Sequence, residues 1–303
     1  VPSILHYTEP GDIVLDGFAG SGMTGVAAQW CGTAPASYRH QVEMEWKKAG
    51  MAAPKWGARH AILNDLSPAA TFIGANYNLP FDVDSFAMAG KQLLADVERE
   101  IGWMYETLHS DGKQKARIDY TVWSETLGCQ SCGGEVVFTS AAMDDETQKV
   151  SKKITCHHCG AEATKEQMDL VFESFIDPAN NEVNKRPKRV PVSIAYSIGR
   201  QKFSKEPDGH DLEIIRRISE LPLPKDLPLN SMPDSQMTRV GRMKTTNTVA
   251  IHHMFLPRAA QAMSLLWQKA KEHKDPRTRN FLLFMVEQAI WTMSILNRNR
   301  PSG

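Results

Sequence analysis

Four of the five cysteines fall in two identical spacings, Cys129-Gln-Ser-Cys132-Gly and Cys156-His-His-Cys159-Gly. A C-x-x-C turn places two thiolates within reach of one ion. Two such turns make a closed tetrahedral set with no open position, the pattern of structural zinc rather than a catalytic metal. The expected ligands are Cys129, Cys132, Cys156 and Cys159, with His157 or His158 as possible replacements for a cysteine. A redox dithiol is the competing reading, and two turns of the same form favour shared coordination. Cys31 stands apart and reads as a small buried hydrophobe.

A second stretch carries chemistry of another kind. In Asp12-Ile-Val-Leu-Asp16-Gly-Phe-Ala-Gly-Ser-Gly-Met-Thr24 an apolar strand ends on a carboxylate and enters a glycine turn. Gly20, Gly22 and Gly25 also satisfy G-x-G-x-x-G, the dinucleotide fingerprint, which taken alone is weak. Charge separates the two readings. Asp16 immediately before the turn would repel a pyrophosphate, whereas S-adenosylmethionine presents a sulfonium and an ammonium group. A second strand, Ala61-Ile-Leu-Asn-Asp65, ends on another carboxylate, with Ser67 placed as helix N-cap and Pro68 at the first helical position. An acidic group there accepts ribose hydroxyls in Rossmann-like sheets; the alternative is that Asp65 only assists the cap.

Residues 9 to 28 resemble the DNA amino-methyltransferase family (cytosine-N4 or adenine-N6), whose first motif has the form D-P-F-x-G-S-G-T after a G-D-x-V-L-D strand. Here Gly17 stands in place of the proline, and Met23 displaces the threonine to Thr24. The resemblance implies cofactor contacts at Asp16, Phe18, Ala19, Gly20, Ser21, Gly22 and Thr24, with Asp16 near the methionine ammonium and Phe18 bordering the cofactor; the end of the second strand adds Asp65 and Leu66 as candidates. It also implies a second motif, (D/N/S)-P-P-(Y/F/W), that accepts the amino protons and stacks on a flipped base. No Pro-Pro dipeptide occurs in the 303 residues. The expectation is therefore a part of an enzyme whose catalytic motif lies beyond Gly303, inactive by itself, with no catalytic residue to assign within this chain. An RNA base methyltransferase and a non-catalytic cofactor- and DNA-binding subunit are the alternatives.

The elements that must hold these residues predict an α/β chain: a Rossmann-like methyltransferase sheet with an inserted zinc-ribbon module and a helical C-terminal part. The expected division is 1–118 for cofactor binding, with a helical insertion at 31–58 of unassigned role; 119–165 for the zinc ribbon; 166–250 for a basic hairpin and proline-rich segment; and 251–303 for helices leading to the missing part. Asp82 to Thr107 reads as a helix, since Phe86, Leu93, Val97, Ile101 and Met104 recur at three- and four-residue steps. Tyr120 to Thr164 reads as short strands. Val192 to Phe203 alternates around Gly199 like a hairpin, Leu212 to Ser219 like a short helix, Leu221 to Pro233 like an extended loop, and helices follow near 259–273 and 277–297.

Composition bounds the partners. With 42% apolar and 23% charged residues the chain is globular, and Lys plus Arg (35) balances Asp plus Glu (35), so no global field draws it to nucleic acid. Any basic surface is local. The candidate for DNA phosphate contact is Lys185 to Lys205, with Arg186, Lys188, Arg189, Arg200 and Lys202 and no acidic residue, extended by Arg239, Arg242 and Lys244; the zinc module is a second candidate. No long apolar span or signal peptide is evident, which makes the cytoplasm the expected compartment.

Overall fold

The computed structural model describes residues 1–143 and 150–297, so the last six residues of the expected helical segment lie outside it. The chain divides into two compact units, the first formed by Val1–Ala89 with His273–Met285 and the second by Gly90–Glu272 with the remainder.

The first unit starts with α1 (Pro2–Tyr7), β1 (Ile13–Asp16), α2 (Met23–Thr33), α3 (Ala36–Lys48), β2 (His60–Leu63) and α4 (Pro68–Asn78). β1 and β2 pair in parallel, Ile13 with His60 through Asp16 with Leu63, so both strands deliver their carboxyl ends, and the carboxylates that follow, to one edge. This is the βαβ arrangement, with the insertion folded as α3. That helix packs on its neighbours: Leu5, Cys31 and Val42 form a buried cluster joined by Tyr38, Trp46 and Trp56, so α3 and α1 close over α2. Arg59, buried just before β2, donates to the carbonyls of Thr8, Lys55 and Gly57 and to Thr8 Oγ1. A buried guanidinium is tolerated when its donors are satisfied in this way. One face of the two-stranded sheet stays bare, with Ile13 65%, Leu15 72% and Ile62 54% exposed.

α5 (Val83–Ile101) continues the chain across the boundary between units, and the helical periodicity extends into a 3-10 turn at Gly102–Tyr105. The second unit is built on antiparallel strands: β3 (Glu106–Leu108), β4 (Lys115–Gly128), β5 (Glu135–Val137), then α6 (Phe138–Ala142), β6 (Lys153–Thr155), β7 (Glu162–Thr164), β8 (Asp169–Leu170), β9 (Phe172–Asp177), β10 (Glu182–Pro187), β11 (Arg189–Ile198) and β12 (Gln201–Lys205). β4 is the organising strand. Its first part pairs with β3 and β11, and its end, Thr126 to Gly128, pairs with β5 and β8. Residues 120–128, expected as part of a segment of short strands, thus belong to a fourteen-residue strand that enters the cysteine module directly. Leu127, Val136, Ile154 and Met168 are the core of that module. The hairpin around Gly199 forms as β11 and β12, with Gly199 in the left-handed region (φ +60°) that a tight turn requires.

Helices complete the chain: α7 (Gly209–Ser219), two single turns α8 (Gln236–Arg239) and α9 (Arg242–Thr245), then α10 (Pro257–Lys271) and α11 (Pro276–Met293). In the first unit Arg277 donates to the carbonyls of Asn76, Leu79 and Pro80, and Phe281 stacks on Phe81 at 3.7 Å, fastening the start of α11 to the end of α4. No described helix is long and apolar enough to cross a membrane. The fold is mixed α/β, as expected.

Candidate functional site

The glycine turn between β1 and α2 is held by two carboxylates. Asp16 accepts from the Phe18 amide (3.1 Å) and from Thr24 Oγ1 (2.5 Å), so the end of β1 is laced to the first turn of α2. Asp65 accepts from the Gly20 amide (2.9 Å) and, through its other oxygen, from the Ser67 amide (2.9 Å). The Ser67 and Gly20 amides hold the Asp65 carboxyl below its ordinary range, so it is ionised at neutral pH. The Ala19 amide adds a bond to the Asn64 carbonyl. Two strand ends separated by forty-five residues and more are thereby closed into one rim.

The glycines divide by role. A Cβ on Gly17 or Gly20 would meet nothing within 4 Å, and Gly20 has φ +53°, so the turn is bare backbone facing open space there. A Cβ on Gly22 would stand 2.7 Å from Asn78 Nδ2 and 2.8 Å from Gly74 Cα, and one on Gly25 would strike Asn78 and Leu63. Gly22 and Gly25 therefore serve the close approach of α2 to α4 and β2. Asn78 completes this contact by donating from Nδ2 to the Gly22 carbonyl. Beside the open turn, Phe18 (85%) and Leu66 (88%) project into solvent from the two strand ends. Ser67 caps α4 through the Ala70 amide, as the sequence predicts.

The cysteine centre lies in the second unit. Sγ atoms of Cys129 and Cys159 are 3.7 Å apart, those of Cys132 and Cys156 are 3.8 Å apart, and all four lie within 4.8 Å of one another. A tetrahedron with zinc–sulfur bonds of about 2.3 Å has edges of about 3.8 Å, so the donor set fits that ion. The two turns repeat one geometry. Cys129 N–H donates to the Gly134 carbonyl and Gly133 N–H to the Cys129 carbonyl; Cys156 N–H donates to Ala161 and Gly160 N–H to Cys156. Gly133 (φ +73°) and Gly160 (φ +74°) adopt the left-handed conformation that closes each turn. Amides of Cys132 and Ser131 aimed at Cys129 lower its thiol to about 6, whereas at Cys159 the Ala161 amide is outweighed by the neighbouring thiols, which push the thiol up to about 12, so the first negative charge of the ion-free cluster belongs to Cys129.

The basic run is largely spent on the fold. Arg186 pairs with Glu173, Lys188 with Glu135, Arg189 and Arg242 with the nearly buried Glu125, Arg239 with Asp234, and Lys205 with Asp208 and Asp211. Lys185, Arg200 and Lys202 have no carboxylate within ion-pair distance among the described residues. The run has no acidic residue in sequence, yet neighbouring strands and turns bring the carboxylates to it. Nearby, a cavity of about 850 Å³ in the second unit is lined by Tyr105, Asp119, Tyr120, Trp123, Arg189 and Arg258, among others. The aromatic and guanidinium character of this groove has no signature in the linear sequence.

Sequence reasoning also missed a buried cluster in the second unit, where Asp177 meets His252 and His253. No spacing rule links residues so far apart.

Comparison with known proteins bears on the first unit. No curated protein and no solved structure matches the chain. A family model described as DNA methylase (N6_N4_Mtase) matches residues 2–75. The matched stretch contains β1, the glycine turn, β2 and Asp65, and stops short of the cysteine centre. It is this N-terminal part of the chain, with its two carboxylates converging on one turn, that is similar to a DNA methylase.

Proposed function

We propose that the first unit binds S-adenosylmethionine across the turn Asp16 to Gly22 and Asp65, and that the chain is the cofactor-binding part of a DNA amino-methyltransferase acting on adenine N6 or cytosine N4. The observation that carries this reading is the Asp65–Gly20 bond, which sets a carboxylate, bare backbone and the exposed Phe18 and Leu66 around one opening within the stretch matched by the methylase family. The cofactor supplies an electrophilic methyl group on a sulfonium. Asp16 offers negative charge toward the ammonium end, and Asp65 keeps one lone pair on each oxygen for ribose hydroxyls. Phe18 and Leu66 would cover apolar parts of the ligand.

An exocyclic amino nitrogen is a poor nucleophile because its lone pair is delocalised, so transfer needs acceptors on its protons as well as proximity. Asp16 and Asp65 are both engaged by the turn, and the Pro-Pro motif of the resembled family does not occur in this sequence. Cofactor binding without methylation by this chain alone follows. The cysteine set would hold one zinc ion as a folding element of the second unit, and DNA would meet that unit at Lys185, Arg200 and Lys202 and at the aromatic groove. Calorimetric titration with S-adenosylmethionine, its demethylated product and NAD tests the central claim. Binding of the first two and not of NAD is expected; binding of NAD alone, or of none, refutes it.

A further inference from the structure

The cluster of Asp177, His252 and His253 is assigned no part in the reading above. Asp177 ends β9, while the two histidines are consecutive in a 3-10 turn, Ile251–Met254. His252 Nε2 stands 2.9 Å from Asp177 Oδ1, and His253 Nε2 stands 2.7 Å from Asp177 Oδ2. All three side chains are almost wholly buried. Consecutive side chains on a regular helix or strand diverge, so two neighbouring imidazoles aimed at one carboxylate are a constructed arrangement.

Three further observations bear on what is built. First, no Lys or Arg nitrogen pairs with Asp177 among the described residues, so the buried carboxylate meets only the two imidazoles as possible cationic partners. Burying a carboxylate without a cation is costly. Second, His252 Nδ1 is buried without a hydrogen-bond partner among the described residues, so the ring's polar engagement is at the Asp177 end alone, where a cation can replace the Nε2 proton. Third, the carboxylate is oriented from behind. The Ala179 amide donates to Oδ1 at 2.9 Å, Asn184 Nδ2 approaches Oδ2 at 3.4 Å, and Asn184 is itself held by Asn247 Nδ2 at 2.7 Å. Asn247 reaches it from a left-handed backbone conformation, φ +51°. Such outer partners fix the direction of a ligating carboxylate.

We propose that Asp177, His252 and His253 form a second metal site, distinct from the cysteine centre, for a divalent first-row transition ion. Two imidazoles and a carboxylate are the donor set suited to zinc, iron, cobalt or manganese, and they leave coordination positions for water or another ligand. Neighbouring donors around a six-coordinate ion with bonds of about 2.1 Å stand about 3.0 Å apart, close to the separations here.

The test is metal stoichiometry on the whole chain. Protein given a single equivalent of zinc per chain, which the four thiolates take in preference to the two imidazoles and carboxylate, is titrated with Co2+. Uptake of one further equivalent is expected, with weak visible d–d bands and no sulfur-to-cobalt charge transfer, since no thiolate belongs to this site. In parallel, elemental analysis after equilibrium dialysis against zinc compares wild type with His253→Gln and Asp177→Asn. One ion fewer in the folded variants supports the site. An unchanged metal count in either folded variant overturns it and leaves a hydrogen-bonded histidine–aspartate cluster. If both variants fail to fold, the wild-type measurement decides: absence of a second, non-thiolate ion overturns the proposal.

Discussion

The side chain of Asp65 accepts a hydrogen bond from the backbone amide of Gly20 at 2.9 Å, so the end of the second strand shapes the turn that follows the first. Asp65→Ala is expected to weaken S-adenosylmethionine at least tenfold, about 1.4 kcal/mol, in calorimetry. Unchanged affinity would remove Asp65 from the site.

The same carboxylate sets a pH dependence. Amide bonds from Ser67 and Gly20 depress its folded pKa, so its contribution to stability is present above the unfolded value and is lost as pH falls through the lower folded value. Cofactor affinity, if limited by Asp65 ionisation, should stay flat from neutral pH down to about 4, the ordinary carboxylate range, and fall only below it. A decline beginning near pH 6 would point to another group.

Arg59 ties the end of the insertion to the segment after α1. Arg59→Ala leaves the carbonyls of Thr8, Lys55 and Gly57 without their donor in a buried position and should cost about 3 kcal/mol of unfolding free energy. Urea denaturation followed by tryptophan fluorescence measures it, because Trp46 and Trp56 lie against this part of the core. A change below about 0.5 kcal/mol would show that the insertion packs independently of Arg59.

For DNA, the cations without carboxylate partners should matter most. Replacing Lys185, Arg200 and Lys202 together by Gln is expected to lower the log–log salt slope of duplex binding by about 3, whereas replacing Arg186 and Lys188 changes it little. Equal effects from both sets would mean that the ion pairs to Glu173 and Glu135 open on binding.

Cys132→Ser should abolish the thiolate-bound ion and lower the melting temperature, measured by elemental analysis and calorimetry on the same sample. A variant that melts like the wild type would make the cysteine centre dispensable for folding.

The local geometry of the candidate site was legible where its residues sit in short runs. Asp16 to Thr24 and the two C-x-x-C turns are local patterns, and local hydrogen bonds make each of them. What depends on distant pairing was not legible. Asp177 and His252 meet across seventy-five residues, and the carboxylates that neutralise Arg186 and Lys188 come from other strands. The long β4 strand was obscured for a related reason: its two ends serve different neighbours, so its burial pattern changes along its length and never shows a single alternation.

The bare face carrying Ile13, Leu15 and Ile62 bears on behaviour in solution. These side chains present a dehydrating surface on a molecule whose formal charges cancel, so no net repulsion keeps two copies apart near neutral pH. Salts excluded from protein surfaces, such as sulfate and phosphate, strengthen attraction between such faces. The strands beneath are only four residues long, which limits how many ladder bonds any encounter can form. Reversible clustering that rises with sulfate and subsides at alkaline pH is the behaviour expected of this surface.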